Sequence, residues 1–594
     1  MNYTPFALGL LCLALPGQAL AEKISRIDIQ GLDEAMTQNV RIALSLEHAL
    51  ERSVTTRRLE YLLEVAEDEA REALEPFGYY SAKVDISKSG ADDALVIVLN
   101  IDKGEPVRVR RENLRIEGEA GDDRYMKQEL AAFSPKVGEV LDHTLYEAGK
   151  VRITRRLAER GYFDADFVTR KVEVTRAEHA ADIDLVWQSG ERYDMGKITF
   201  EQSPQEIIRP ELLEKLVYWE EGDYYHQGRL ERLRKSLVAL DYFSSIDINP
   251  MPDQAENYLV PVTVKLTPAK RSIYNFGLSY GTDSGPGFTS GVERRYLNRR
   301  GHKAMVQLDY ARKRKALTLQ YRIPAFKWLD GWHTASLQGL DEQTDYVDSR
   351  KLEFVASRSG EINRHLTATA SLHAMRERWL YAHQTQQNPA APYHYATYVY
   401  PSLRAEYIDA DDRMFPRRGI GSTLMLRGGL ESAGSDSNFG QVHATLRWYR
   451  GLGERSRLIV RGEVGHTFSG GNADMPPSLR FFAGGDRSIR GYAWREVGPR
   501  VSTGLPGDNR RYAVGAKNVT TASAEYEHYF TESLGAAVFA DIGSAFNDRP
   551  NWRSGVGIGA RWRSPVGPVR LDIARGLNEP DSAFQLYLSL GADL

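Results

Sequence analysis

Residues 555–573 read GVGIGARWRSPVGPVRLDI, and their alternation decides the fold. Val556, Ile558, Ala560 and Trp562 fall on one phase; Gly555, Gly557, Gly559, Arg561 and Arg563 fall on the other. Past the Gly/Pro break, Val569, Leu571 and Ile573 alternate with Arg570 and Asp572. A period of two sends successive side chains to opposite faces of an extended chain, so these are strands with one apolar and one charged face. The last segment repeats the rhythm, with Phe584, Leu586, Leu588 and Leu590 against Gln585, Tyr587, Ser589 and Gly591. So does the segment with Tyr274, Phe276, Leu278 and Tyr280 against Asn275, Gly277 and Ser279. A soluble sandwich would alternate in the same way, so length and context must decide. From about Arg271 Gly, Tyr and Arg rise and long amphipathic helices vanish. About 325 residues, at roughly twenty per strand with its share of loop, give an all-β transmembrane barrel of about 16 antiparallel strands. No window holds the ~20 apolar residues of a membrane-spanning helix, and a closed barrel is the other structure that satisfies its backbone in lipid. Arg561, Arg563, Arg570, Glu525, Asp541 and Asp572 would then share one lumen. Isolated buried charges are expensive, so they are expected to be paired or solvated as an ionic lining.

The 594 residues, 26% of them charged, carry a formal net charge of -3. That length admits several domains, and the near-neutral balance gives no basic footprint for a nucleic-acid partner. Pro5 to Leu15 is apolar and Ala19-Leu20-Ala21 fits a cleavage site, so residues 1–21 read as a signal peptide, although no Lys or Arg precedes the apolar core. The single cysteine, Cys12, lies inside it, and Leu11 stands where a lipoprotein signal needs a small residue. The mature chain, from Glu22, is expected to be cysteine-free and to need no disulfide.

Between signal and barrel a unit of roughly eighty residues recurs, a period that argues for tandem small domains and against a solenoid. Leu74 leads to Gly78-Tyr79-Tyr80, Leu157 to Gly161-Tyr162-Phe163, and Leu237 to Asp241-Tyr242-Phe243. Each turn ends an amphipathic helix: Leu59, Leu62, Leu63, Ala66, Ala70 and Ala73 share one face, Leu230, Leu233, Leu237 and Leu240 another. The middle helix is less regular, with Leu145, Ile153 and Leu157. An opening strand precedes each helix, and two apolar strands follow it. The order is β-α-α-β-β, with boundaries expected at 22–103, 104–189 and 190–267 and a barrel over 268–594. This pattern resembles POTRA domains, the polypeptide-transport-associated modules. Asp241 departs from their glycine, but Asp tolerates a left-handed backbone better than most residues. A small sheet with an unpaired edge can accept an extended peptide, or the domains can be spacers; the residues leave both open.

Three further motifs resemble those of the outer-membrane assembly-factor superfamily. They are Asp411 to Gly419 (DDRMFPRRG), Gly484 to Tyr492 (GGDRSIRGY) and Phe539 to Gly543 (FADIG). The resemblance covers essentially the whole mature chain and implies three α+β POTRA domains followed by the barrel. It implies a loop with Gly484, Gly485, Arg490, Gly491 and Tyr492 folded back into the lumen. Arg490 would dock on the strand carrying Phe539, Asp541 and Gly543, and the alternation independently points Asp541 inward. The bland alternative is that the glycines only turn an extracellular loop. Three repeats resemble the TamA family within the superfamily, whose BamA-like members usually carry five and two-partner-secretion transporters two.

The implied role is to promote insertion or secretion of client proteins, autotransporter-like β-barrels, in the outer membrane of a Gram-negative bacterium with the repeats in the periplasm. The implied partners are a TamB-like protein anchored in the inner membrane, unfolded outer-membrane clients and membrane lipid. First and last strands must meet at a seam, where Phe276, Gly277 and Tyr280 would face Leu586, Leu588 and Gly591. Glycines weaken strands, so the seam is expected to open laterally. No Walker motif, G-x-S-x-G or H-E-x-x-H is present, so neither enzymatic activity nor a cofactor or metal is expected. The rival reading on the same fold is a two-partner-secretion-type export pore, against which the three repeats and the lack of an N-terminal plug helix count.

Overall fold

The computed structural model describes residues 21–594 except 92–93, 282–284, 327–330, 345–346, 471–474, 503–510, 566, 579–583 and 591–594. The expected signal peptide up to Leu20, with Cys12, and Gly591 of the expected seam lie outside the described residues. No helix among the described residues is long and apolar enough to cross a membrane. The chain forms two compact units, one built on the first two repeats and one on the barrel, with the third repeat divided between them.

Each repeat is a small sheet covered by helices. In the first, strand Ala21–Gln30 runs parallel to Leu95–Asp102, with Ser53–Thr55 and Lys83–Ser89 on the outer edges. Helices Glu34–Ala43 and Thr56–Glu72 bury Met36, Val40, Leu59, Leu62, Ala66 and Ala70 against Ile24, Ile27, Ile97 and Leu99. Thr55 caps the longer helix by accepting from Arg58 N. The second repeat orders its strands Arg108–Glu117, Ala180–Gln188, Asp166–Thr175, and the third Asp194–Gln202, Leu259–Pro268, Phe243–Pro250. Leu145 is not on the core face of helix His143–Glu159. It is exposed, and Tyr146, Gly149, Ile153 and Leu157 face inward. Counting back four residues at a time from Leu157 lands on Gly149, a glycine where the pattern asks for a large apolar residue, so the stripe is hard to see in sequence.

The turn after each helix makes a joint. Gly78, Gly161 and Asp241 all have positive φ, at 87°, 94° and 55°. Val107 N donates to Gly78 O at 2.8 Å and Tyr193 N to Gly161 O at 2.9 Å. Tyr80 Oη bonds His143 Nε2 at 2.5 Å, and Phe163 meets Tyr193 and Tyr225 edge-on. Ala269 N donates to Tyr242 O, the Tyr242 hydroxyl donates to Gly301 O, and Arg295 Nε donates to Asp241 Oδ2 at 2.8 Å. The aspartate that breaks the repeat pattern keeps the turn and gains an ion pair.

The barrel sheet has 16 strands in sequence order. They are Ser272–Gly281, Gly285–Arg294, Lys303–Ala311, Arg314–Pro324, Gly331–Gln343, Val347–Asn363, Leu366–Tyr381, His394–Ala410, Arg418–Gly429, Phe439–Leu452, Ser456–Ser469, Asn518–Tyr529, Leu534–Phe546, Arg553–Ser564, Gly567–Gly576 and Gln585–Leu590. Every described neighbour pair is antiparallel. Val556, Ile558, Trp562, Leu571, Ile573, Leu586 and Leu588 are exposed on the outer face, while Glu525, Asp541, Arg561, Asp572 and Tyr587 are buried within. Hydrocarbon outside and charge inside is the inverse of a soluble sandwich and fits a wall set in lipid.

Candidate functional site

Between the eleventh and twelfth strands the chain leaves the wall for 48 residues, Gly470 to Lys517, and its described parts turn back into the lumen. Phe481 and Ala516 exchange backbone hydrogen bonds at 2.9 and 2.8 Å, as do Ala483 and Val497 at 3.1 and 2.9 Å, so the loop descends as a narrow ribbon. Phe481, Ile489, Tyr492 and Val497 pack on Val519 and Ala545 of the wall. Gly485 N donates to Tyr492 O at 3.1 Å and closes the tip, which carries Asp486 to Gly491.

At that tip Arg490 is almost wholly buried, and all five of its guanidinium N–H donors find acceptors. Nε donates to Asp541 Oδ2 at 2.8 Å and Nη2 to Asp541 Oδ1 at 3.0 Å, a two-pronged fork. The second Nη2 hydrogen reaches Ser523 Oγ at 3.3 Å. Nη1 donates to Glu525 Oε2 at 2.7 Å and Asp572 Oδ2 at 3.1 Å. The backbone N of Arg490 also donates to Asp541 Oδ2, at 2.9 Å. The guanidinium lies 3.3 Å over the Phe539 ring. Gly543 lies on the same strand, and a Cβ there would come 3.0 Å from Ile489 of the loop. The structure thus brings together Gly484, Gly485, Arg490, Gly491, Tyr492, Phe539, Asp541 and Gly543.

Several groups in this contact carried no signal in the sequence. Tyr587 of the last strand accepts from Gly491 N at 3.0 Å and donates to Tyr492 O at 2.7 Å. Gly555 lets the fourteenth strand pass the tip, because a Cβ there would stand 1.8 Å from Arg490 O. The ion pairs also continue. Arg561 donates to Asp572 at 2.5 Å, Glu525 at 2.5 Å and Glu527 at 2.7 Å. Arg457 donates to Glu527 at 2.6 Å and to Pro416 O at 2.7 Å. Arg457 and Arg563 each sit 3.7 Å over Phe415. Pro416 and Phe415 belong to the DDRMFPRRG turn, which Asp411 and Asp412 hold by accepting backbone N–H groups. One polar chain therefore runs from the loop tip to that turn. Register explains it: Glu525, Glu527, Asp541, Arg561 and Asp572 all occupy the inward phase of adjacent strands.

The seam residues behave differently. Phe276, Leu586 and Leu588 are exposed on the outer face. A Cβ at Gly277 would meet nothing within 4 Å, and Tyr280 pairs with Pro286 of the second strand. Among the described residues no ladder joins the first strand to the last.

Residues 297–593 match the Omp85 superfamily domain, residues 26–103 the POTRA domain TamA domain 1, and residues 109–187 and 193–269 the POTRA family described as surface antigen variable number repeat. The outer membrane protein assembly factor BamA of Nitratidesulfovibrio vulgaris is 22% identical over 526 residues, 84% of this chain and 64% of that relative. BamA of Neisseria meningitidis serogroup B is 21% identical over 577 residues, 86% of this chain and 70% of the relative. The crystal structure of BamA from Haemophilus ducreyi lacking POTRA domains 1–3 superposes with a TM-score of 0.65 at 16% identity, over 82% of this chain and 98% of that one. At that identity the likeness speaks for the fold, and the chain spans less than two thirds of the Nitratidesulfovibrio relative. With the family match over the barrel and POTRA matches over the arm, the chain belongs to the Omp85 superfamily, as an outer-membrane β-barrel with periplasmic POTRA domains.

Proposed function

We propose that this protein promotes the assembly or secretion of client proteins at the outer membrane through a lateral seam between its first and last barrel strands. The observation that carries the reading is the pair of strands at the ends of the sheet. Ser272–Gly281 is paired to Gly285–Arg294 and Gln585–Leu590 to Gly567–Gly576, with no described ladder between the two ends. An unsatisfied backbone group in hydrocarbon costs several kcal/mol. A client strand that pairs with either edge gains its hydrogen bonds before it meets lipid, by the same β-augmentation that sheet edges offer elsewhere. The loop tip supports this division, because Tyr587 ties the last strand to the plug while the first strand keeps Tyr274, Phe276 and Leu278 largely exposed.

The finer reading is a TamA-like factor that acts on unfolded, autotransporter-like outer-membrane clients with a TamB-like partner anchored in the inner membrane. It is supported by the TamA-type match of the first domain and by three repeats in the arm, β-α-α-β-β in the second and third and with the short strand Ser53–Thr55 added between the helices of the first. The mechanism uses pairing and burial alone, so the protein acts without catalysis or cofactor.

The test uses the absence of cysteine after Cys12. A panel of double variants joins Phe276→Cys or Gly277→Cys to Leu586→Cys or Leu588→Cys, and bridging itself demands Cα atoms about 4.4–6.8 Å apart. Client assembly should stop on oxidation and resume on reduction. Full client assembly by a quantitatively cross-linked chain would show lateral opening to be wrong. Deleting residues 22–103 should abolish partner binding if the first repeat is the dock.

A further inference from the structure

Away from the barrel, a cavity of about 430 Å³ lies where the second repeat meets the third. Its cationic lining is Arg156, Arg160, Arg192 and Arg229, and His226, Tyr125 and Tyr224 complete it; no carboxylate lines it. Arg156 belongs to helix His143–Glu159 and Arg160 caps its end, while Arg229 opens helix Gln227–Leu240 just after His226. Three of the arginines have acidic partners outside the cavity. Arg160 pairs with Asp123, Arg229 Nη1 with Asp223 at 2.6 Å, and Arg156 Nη1 with Glu159 at 3.1 Å. Among the described residues Arg192 makes no side-chain ion pair, although its charge acts on Asp194. Its Nε donates to Arg160 O at 2.9 Å, its guanidinium lies 4.3 Å over the Tyr224 ring, and only its backbone N reaches an acid, Glu119. Arg156 Nε is buried with no hydrogen-bond partner and stands 3.7 Å from Glu129 Oε1.

His226 fits the same pattern. Burial, then the charges of Arg160, Arg156, Arg192 and Arg229, push its pKa below the ordinary value, so the ring is neutral near pH 7. Its Nδ1 accepts from Gly228 N at 2.9 Å. In a neutral ring that leaves the proton on Nε2, another donor. Four guanidiniums, a phenol pair and an imidazole N–H, gathered with one guanidinium outside any ion pair and no acceptor acid in the lining, suit a group that presents several oxygens and negative charge.

We propose that this joint is a binding site for a phosphate group, free or carried on a lipid headgroup. A bound phosphate would contact residues of both repeats and hold the joint in one geometry. The test is calorimetry on the full chain in zwitterionic nanodiscs. One arm titrates inorganic phosphate, another short-chain phosphatidylglycerol, and a third polyglutamate. Saturable binding of phosphate and the lipid alike assigns the site to the phosphate alone; binding of the lipid only assigns it to a headgroup. Either should weaken at least about tenfold, or about 1.4 kcal/mol, in Arg192→Ala and in the half-exposed Arg156→Gln. Preferential binding of polyglutamate, no saturable binding by either phosphate compound, or affinities unchanged in both variants would overturn the proposal.

Discussion

The chain holds two arginine clusters of the same size and opposite character. In the lumen Arg457, Arg461, Arg490 and Arg561 meet Glu525, Glu527, Asp541 and Asp572, with Arg461 the outlying member at 3.9–4.0 Å. In the arm four arginines line a cavity whose acids all stand outside it. In the first, each of these arginines meets a carboxylate carried by the wall itself, which is what a lock requires. The second keeps its acids on the outside and leaves Arg192 outside any ion pair, which leaves room for the proposed phosphate. The difference separates a charge cluster that holds the molecule's own loop from one that receives a ligand.

The largest expected effect breaks the lumen cluster. Arg490→Ala leaves Asp541, Glu525 and Asp572 buried around a vacated position, and removing one partner of a buried ion pair costs about 3–5 kcal/mol. The barrel's unfolding midpoint, followed by the heat-induced gel-mobility shift in detergent, should fall sharply, and client assembly with it. Asp541→Ala should cost less, because Arg490 keeps Glu525 and Asp572. The double variant should fall short of the sum of the singles by roughly 0.5–3 kcal/mol. Strict additivity would mean the fork is not energetically coupled. Gly555→Ala ranks next. Its methyl group meets Arg490 O, so the tip should lift and trypsin cleavage after Arg487 in intact cells should rise with all charges still present. Protection equal to the parent chain would show that the tip tolerates displacement.

The fold was legible where one periodicity ran undisturbed. The alternation from Gly555 to Ile573 set the strands, the strand number followed from length, and the repeats were visible at Gly78, Gly161 and Asp241. The middle arm helix was read with Leu145 inward because Gly149 removes the apolar residue that would have fixed the phase. The lumen charges were legible as inward-facing, since alternation assigns faces, but not as a connected chain. Which charge meets which depends on register between strands up to about 115 residues apart, as from Arg457 to Asp572. Tyr587 and Gly555 stand in ordinary alternation and reveal their contacts only once the loop is in place. The arm cavity was invisible for a related reason: Arg156 and Arg160 of one helix and its cap, Arg192 and Arg229 come from three separate segments, and each segment alone reads as solvated surface charge.

The smallest expected effect tests the arm cluster from within. His226 has its pKa held below the ordinary 6.5 by burial and by the four arginines. As pH falls through 6.5 the unfolded chain takes up a proton at this residue while the folded arm does not. The unfolded state then binds more protons, so the contribution of His226 to arm stability declines from pH 6.5 down to the folded-state pKa and is flat above and below that window. Asp223 has its pKa lowered by the backbone N–H of Glu220 and by Arg229, so it titrates below the same window. Urea unfolding of the full chain in nanodiscs, followed by the fluorescence of Trp187 and Trp219, should show the decline. His226→Ala should flatten it, and Arg192→Ala should narrow it by removing one of the charges that oppose protonation. Arg490→Ala should leave the step as it is, since that change touches none of the groups around His226. If the parent chain and His226→Ala lose stability equally between pH 6.5 and 5, the arginines do not act on this imidazole and the arm cluster is no more than four solvated side chains.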